Sequence, residues 1–134
     1  MEKFNVLVKE ISSLVEICHA SKNKLEEPII LKVIVESGLL TEEQTNVSTY
    51  ACLDAGADFI KTSTGKVDVG AELHKVKIMY DAIKNESSNM KIKASGGVRD
   101  MNDIISFGKY VDRFGMGYGA VDTLNGLESS DVGY

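Results

Sequence analysis

The sequence predicts an α/β fold of one leading helix followed by about four βα units, close to half of a (β/α) barrel. Three observations lead there. Helical stretches with three- and four-residue apolar spacing alternate with short β-branched runs. Each short run ends in a polar, glycine-bearing loop. The chain has 134 residues, whereas a complete eight-stranded barrel usually needs roughly 200 or more.

Phe4, Leu7, Val8, Ile11, Leu14, Val15 and Cys18 share one helical face, so the chain opens on an amphipathic helix with no strand before it. After the single proline, Pro28, the run Ile29 to Val35 reads as a buried strand ending near Glu36 and Gly38. Thr41 followed by Gln44 is a capping-box pattern, and the helix it starts continues through Val47, Tyr50 and Ala51 to about Ala55, where Gly56 stops it. Ala57 to Lys61 is the next strand, with Thr62 to Gly70 as its exit loop. Leu73, Val76, Met79, Tyr80 and Ile83 mark a further helix, closed by the polar cluster Asn85 to Asn89. Met90 to Ala94 is a strand, Ser95-Gly96-Gly97 its exit loop, and Asp100 the N-cap of a helix through Ile104, Ile105 and Phe107. Arg113 to Met116 makes the last strand, and Ala120 to Leu127 a short closing helix.

An apolar fraction of 43% suffices for a packed core and argues against disorder of the whole chain. The net charge is −5 with the two signs interspersed, which gives no reason to expect nucleic acid or a membrane surface as partner. Cys18 and Cys52 lie within apolar patterns and read as buried free thiols, in keeping with a reducing compartment. The longest apolar stretch, broken by Lys32, is too short to cross a bilayer, and the N-terminus lacks the apolar segment of a secretory signal. A soluble, cytoplasmic protein is expected. His19 and His74 have no partners at ligand spacing, so no metal is expected. Glu42 and Glu43 sit in a first helical turn, where the dipole favours them.

Lys61 and Lys93 fall at the exits of successive strands, where barrel enzymes place reactive groups. Burial or a neighbouring cation lowers an amine's pKa and frees its lone pair for attack on a carbonyl. Alternation sets Lys91 and Lys93 on one face and Ile92 on the other. On spacing alone, a Lys61 that snorkels from the strand end to solvent is the simpler reading, and the lysine pair could be a solvated rim of the sheet. Gly65-Lys66, Gly96-Gly97 and the run Gly115-Met116-Gly117-Tyr118-Gly119 occupy the same end of the sheet. There, glycine-freed amides can cradle a phosphate and Lys66 can neutralise it.

The blocks Leu31-Lys32-Val33-Ile34-Val35-Glu36-Ser37-Gly38, Ala55 to Lys66 with its core Phe59-Ile60-Lys61-Thr62-Ser63-Thr64-Gly65, and Lys93-Ala94-Ser95-Gly96-Gly97-Val98-Arg99 resemble those of the deoxyribose-phosphate aldolases, in order and spacing. The resemblance implies a partial (β/α)8 TIM barrel, with residues 1–134 as its C-terminal half. It implies a class I, Schiff-base aldolase that cleaves 2-deoxyribose 5-phosphate to acetaldehyde and glyceraldehyde 3-phosphate without a cofactor. Lys61 would form the imine, Lys93 would lower its pKa, and Tyr134 would assist proton transfer. Gly65, Lys66, Gly96, Gly97 and Gly117 would hold the phosphate of a small sugar substrate. Gly117-Tyr118 stands where relatives often have small hydroxyl residues, and the family's catalytic aspartate, carried on an earlier strand, has no counterpart. Two readings follow: an aldolase completed by a homo-oligomer or by an N-terminal half, or a non-catalytic half barrel that binds phosphate or a partner chain.

Overall fold

A computed structural model describes residues 1–126, and the order of elements follows the alternation read from the sequence. Helix α1 (Glu2–Ala20) turns its buried Ile11 and Val15 inward. Strand β1 (Lys32–Ile34) leads through a 3-10 turn, Ser37–Leu39, to helix α2 (Glu42–Ala55). The Thr41 capping box is present: Gln44 N donates to Thr41 Oγ1 at 3.1 Å and Thr41 N to Gln44 Oε1 at 2.9 Å. Gly56 closes this helix in the left-handed region at φ 78°, as a glycine after a helix end allows.

Strand β2 (Phe59–Lys61), helix α3 (Leu73–Asn85), strand β3 (Lys91–Ser95), helix α4 (Met101–Phe107), strand β4 (Arg113–Gly115) and helix α5 (Ala120–Leu124) complete the order. Asp100 caps α4, its side chain accepting from Asp103 N while Asp103 answers on the Asp100 amide. The four strands form one parallel sheet in the order β1-β2-β3-β4.

The core lies on one side of this sheet. Ile60, Ile92 and Ala94 point to the helices and pack with Ile11, Val15, Cys52, Val76, Met79 and Ile83. Helix α2 sits between α1 and α3. It buries Thr45 and Thr49, whose hydroxyls bond back to the carbonyls of Thr41 and Thr45. That bonding lets a helix of modest hydrophobicity occupy an interior position without orphaned hydroxyls.

Two expectations need correction. The run Ile29 to Val35 forms a strand only over Lys32–Ile34, and it is not buried: Ile29, Ile30 and Ile34 are each more than 40% exposed. As the first strand in the order, β1 pairs only with β2, so its other edge and inner face lack cover. Cys52 is buried as expected, but Cys18 is only half-buried.

The exit loops at the C-terminal end of the sheet pack backbone to backbone. A Cβ added at Gly70 would lie 2.0 Å from the Gly96 carbonyl oxygen, which itself accepts a 2.9 Å bond from Ala71 N. One added at Gly38 would meet the Val69 carbonyl at 2.1 Å. The loop after β2 is thus held between the loops after β1 and β3. Gly70→Ala should cost about 2–4 kcal/mol by forcing these backbones apart. Gly97→Ala meets no atom within 4 Å and should cost only the left-handed strain of about 1–2 kcal/mol. Urea unfolding of both variants checks the order; equal losses would show that the loops are not in tight contact.

Candidate active site

The helix-free face of the sheet carries the side chains that alternate with the core residues. Parallel register places Ile34, Lys61, Lys93 and Arg113 in one row across the four strands, and Lys32, Phe59 and Lys91 in the row before it. Lys61 and Lys93 are therefore direct neighbours on adjacent strands, whose spacing is about 4.8 Å. Phe59 is 3% exposed although it lies on the open face, because cations roof its ring. Arg113 stands 4.9 Å, Lys32 5.5 Å and Lys91 5.9 Å from the ring centroid. The π face attracts these cations and spaces them round one ring.

Hydroxyl groups fix the register of the central pair beyond the end of β2. Thr62 N donates to the Lys93 carbonyl at 3.0 Å, and Thr62 Oγ1 both donates to Ser95 O at 3.1 Å and accepts from Ser95 N at 3.0 Å. Ser95 Oγ donates to Ser63 O at 2.8 Å. Thr62, Ser63 and Ser95 are all fully buried, so these bonds are shielded from competing water. Lys61 and Lys93 extend from a backbone with little freedom to slide.

The amine of Lys93 is held below the ordinary lysine range, first by burial and then by the charges of Lys61, Lys32 and Arg113. Spacing alone anticipated that one of the two lysines would depress the other; the amine lowered in the structure is that of Lys93, whose neighbours include two cations not foreseen as such. Cys52 is no competing nucleophile, since burial pushes its thiol up to about 12.

Gly65, at φ 81°, Gly96, at φ 76°, and Gly97, at φ 80°, bring the second and third exit loops to the same end of the sheet. Among the described residues, the amides of Gly65, Gly96, Gly97 and Val98 make no hydrogen bond. Lys66 is exposed beside them, and Gly117 lies just past β4. Such free amides in left-handed backbone form an anion-binding concavity. No group of His, Cys, Asp and Glu among the described residues could hold a metal ion.

The sequence matches the DeoC/LacD family aldolase over residues 1–121. The chain belongs to that family. The deoxyribose-phosphate aldolase of Mycoplasmoides gallisepticum is 47% identical over 104 residues, 77% of this chain and 45% of that protein. A solved aldolase, QR15, is 36% identical with a TM-score of 0.68, over 85% of this chain and 47% of its own. The tetrameric deoxyribose phosphate aldolase of Aeropyrum pernix is 28% identical with a TM-score of 0.70, over 88% of this chain and 47% of its own. The chain thus spans less than half the length of these relatives, and its four-stranded sheet is part of an aldolase-type barrel.

Set on this family member, the residues singled out from sequence fall into two groups and a remainder. Lys61 and Lys93 form the central pair, while Gly65, Lys66, Gly96 and Gly97 line the loops above it. Tyr134 lies outside the described residues. Sequence reasoning missed Lys32 and Arg113 as members of the cationic face; the signal was the alternation of Lys32 with Val33 and of Arg113 with Phe114. It also missed the bond of Glu36 to Thr64, and Lys75. The Lys75 amine is buried in α3, donating to Ser37 O at 2.8 Å and paired with Glu72 at 2.6 Å. His19 and His74 are exposed, as expected, though His19 Nε2 bonds Asp58 Oδ2 at 2.8 Å, and Asp58 also receives Leu31 N.

The lowered Lys93 pKa has a stability consequence. Between that value and the ordinary 10.5, the unfolded chain binds the proton that the folded chain releases, so stability rises with pH across the window. Below the window the repelled ammonium is a constant penalty. Lys93→Met should therefore raise stability at pH 7 and flatten the rise towards pH 10.5, as read by urea unfolding at both pH values. A destabilised variant with an unchanged pH slope would refute the strain on Lys93.

Proposed function

We propose that this chain supplies the substrate-activating half of a Schiff-base aldolase that cleaves 2-deoxyribose 5-phosphate. The observation that carries the reading is the in-register Lys61–Lys93 pair on an open cationic face, with free loop amides above it. Relatives named deoxyribose-phosphate aldolase support the substrate.

In this reading the Lys61 amine attacks C1 of the open-chain sugar, and the carbinolamine loses water to give an iminium. The C2–C3 bond then breaks: its electron pair moves into the enamine, the C3 hydroxyl loses its proton, and glyceraldehyde 3-phosphate departs. Protonation of the enamine carbon and hydrolysis release acetaldehyde and restore Lys61. Burial, and then the charges of Lys61, Lys32 and Arg113, favour the neutral form of the Lys93 amine. The likeness of Lys61 to the family's imine-forming position supports attack by Lys61 rather than by Lys93. Gly65, Lys66, Gly96, Gly97 and Gly117 hold the phosphate, and Tyr134 serves the enamine proton.

The open face also bears on assembly. Its strand residues include Lys32, Lys61, Lys91, Lys93 and Arg113 and no carboxylate. Two copies closing on each other would bring both sets of cations into one lumen, and like charges there repel. A complementary half that carries carboxylates fits this lining better than a second copy. Such a half would also supply the acid-base group, a contribution of about 10²–10⁴-fold in rate.

Borohydride reduction in the presence of acetaldehyde, followed by peptide mapping, should label Lys61, and Lys61→Leu should abolish the label. Labelling confined to Lys93 would reverse the two roles. Lys66→Ala should weaken inorganic phosphate binding by about 1–3 kcal/mol; equal affinity would remove Lys66 from the site. Retro-aldol turnover by the purified chain alone should fall far below that of a complete barrel. Full turnover would show that no further acid is needed.

A further inference from the structure

Glu36 sits where a side chain has no ordinary reason to be strained. Its backbone is left-handed, at φ 50° and ψ 56°, a region that residues with a Cβ enter rarely. Among the described residues, two other non-glycine residues share a positive φ, Glu26 and Ser87, and both lie in exposed turns that precede strands, at the opposite end of the sheet. Glu36 alone lies at the strand exits. Its neighbours hold it there: Val35 N donates to Lys61 O at 3.1 Å, Ser37 N to Thr62 O at 2.8 Å, and the buried Lys75 amine to Ser37 O at 2.8 Å.

The result of this conformation is a carboxylate with both oxygens on one residue of the next loop. Thr64 N lies 3.1 Å from Oε1 and 3.3 Å from Oε2, and Thr64 Oγ1 donates to Oε2 at 2.5 Å. The carboxylate can only accept, so the single hydroxyl proton of Thr64 is committed to it. That leaves the Thr64 oxygen to accept from Lys66 N, at 3.1 Å. Of the three successive amides Thr64, Gly65 and Lys66, the outer two are thereby satisfied inside the protein. The middle one, Gly65, makes no hydrogen bond among the described residues.

We infer that Glu36 is a positioning residue for anion binding: acting through Thr64, it folds the loop so that the Gly65 amide stays free for a phosphate oxygen. The inference rests on the anion site of the proposed function and adds the device that shapes it. A negative group can serve an anion site here because its charge is met by the Thr64 N–H and O–H. A glutamine at position 36 has an amide that can also donate, so it does not fix the direction of the Thr64 hydroxyl proton. A strained backbone persists only where surrounding bonds over-determine it, and here those bonds run to the exit of β2 and to the Lys75 amine of α3.

The test follows the Gly65 amide by ¹⁵N–¹H NMR in the full 134-residue chain during titration with inorganic phosphate, with thermal melting alongside. In the wild type, phosphate should shift the Gly65 resonance. Glu36→Gln and Thr64→Val should each weaken phosphate roughly tenfold, and Glu36→Gln/Thr64→Val should be no weaker than the poorer single variant, because both remove one relay. Thr64→Ser, which keeps the hydroxyl, should bind within about threefold of wild type. Should Glu36→Gln fail to fold, Thr64→Val and Thr64→Ser read the relay from its other end. A responsive wild-type Gly65 with equal affinity in Glu36→Gln and Thr64→Val overturns the inference and leaves the anion site standing. Multiplicative losses in the double variant also overturn it, since they would mean independent effects. A wild-type Gly65 that ignores phosphate overturns both this inference and the anion site.

Discussion

Beyond the end of β2, the hydroxyl of Thr62 does the work of a further ladder residue, bonding both the carbonyl and the amide of Ser95. Parallel pairing is set by backbone bonds that a shifted alignment could also satisfy in a short strand, and β2 has only three residues. A buried side chain that pairs with one residue alone removes that freedom. If β3 slid by one position, Lys93 would move to the core side and Ile92 to the open side. The lysine pair, the roof over Phe59 and the meeting of the exit loops all depend on that alignment.

Much of the fold was legible because it is written in local patterns. The Thr41 and Asp100 caps, the stop at Gly56 and the apolar stripe of α1 each follow from residues within a turn or two of one another. The length of β1 was not legible: hydrophobicity in Ile29 to Val35 reports a strand former and says nothing of how many neighbours the strand has. Burial was therefore read where the structure has an edge.

The site divides along the same line. Lys61, Lys93 and the glycine loops could be placed at one end of a sheet by alternation and by family likeness. The electrostatics could not, because the depression of Lys93 depends on Lys32 and Arg113, which stand on β1 and β4, far away in sequence. Glu36 stayed hidden for a different reason. Its importance lies in a backbone angle and in one partner 28 residues away, and neither leaves a spacing signal in the chain.

The roof over Phe59 and the lysine row behind it also divide the molecule's charge. Lys32, Lys61, Lys91, Lys93 and Arg113 share the open face, so the rest of the chain holds ten basic residues against twenty acidic ones. The protein is thus an electric dipole with its positive pole at the sheet, although its net charge is −5. An anion meeting this molecule at random is repelled by its back and drawn round to its front, so orientation begins before contact and weakens as ionic strength rises.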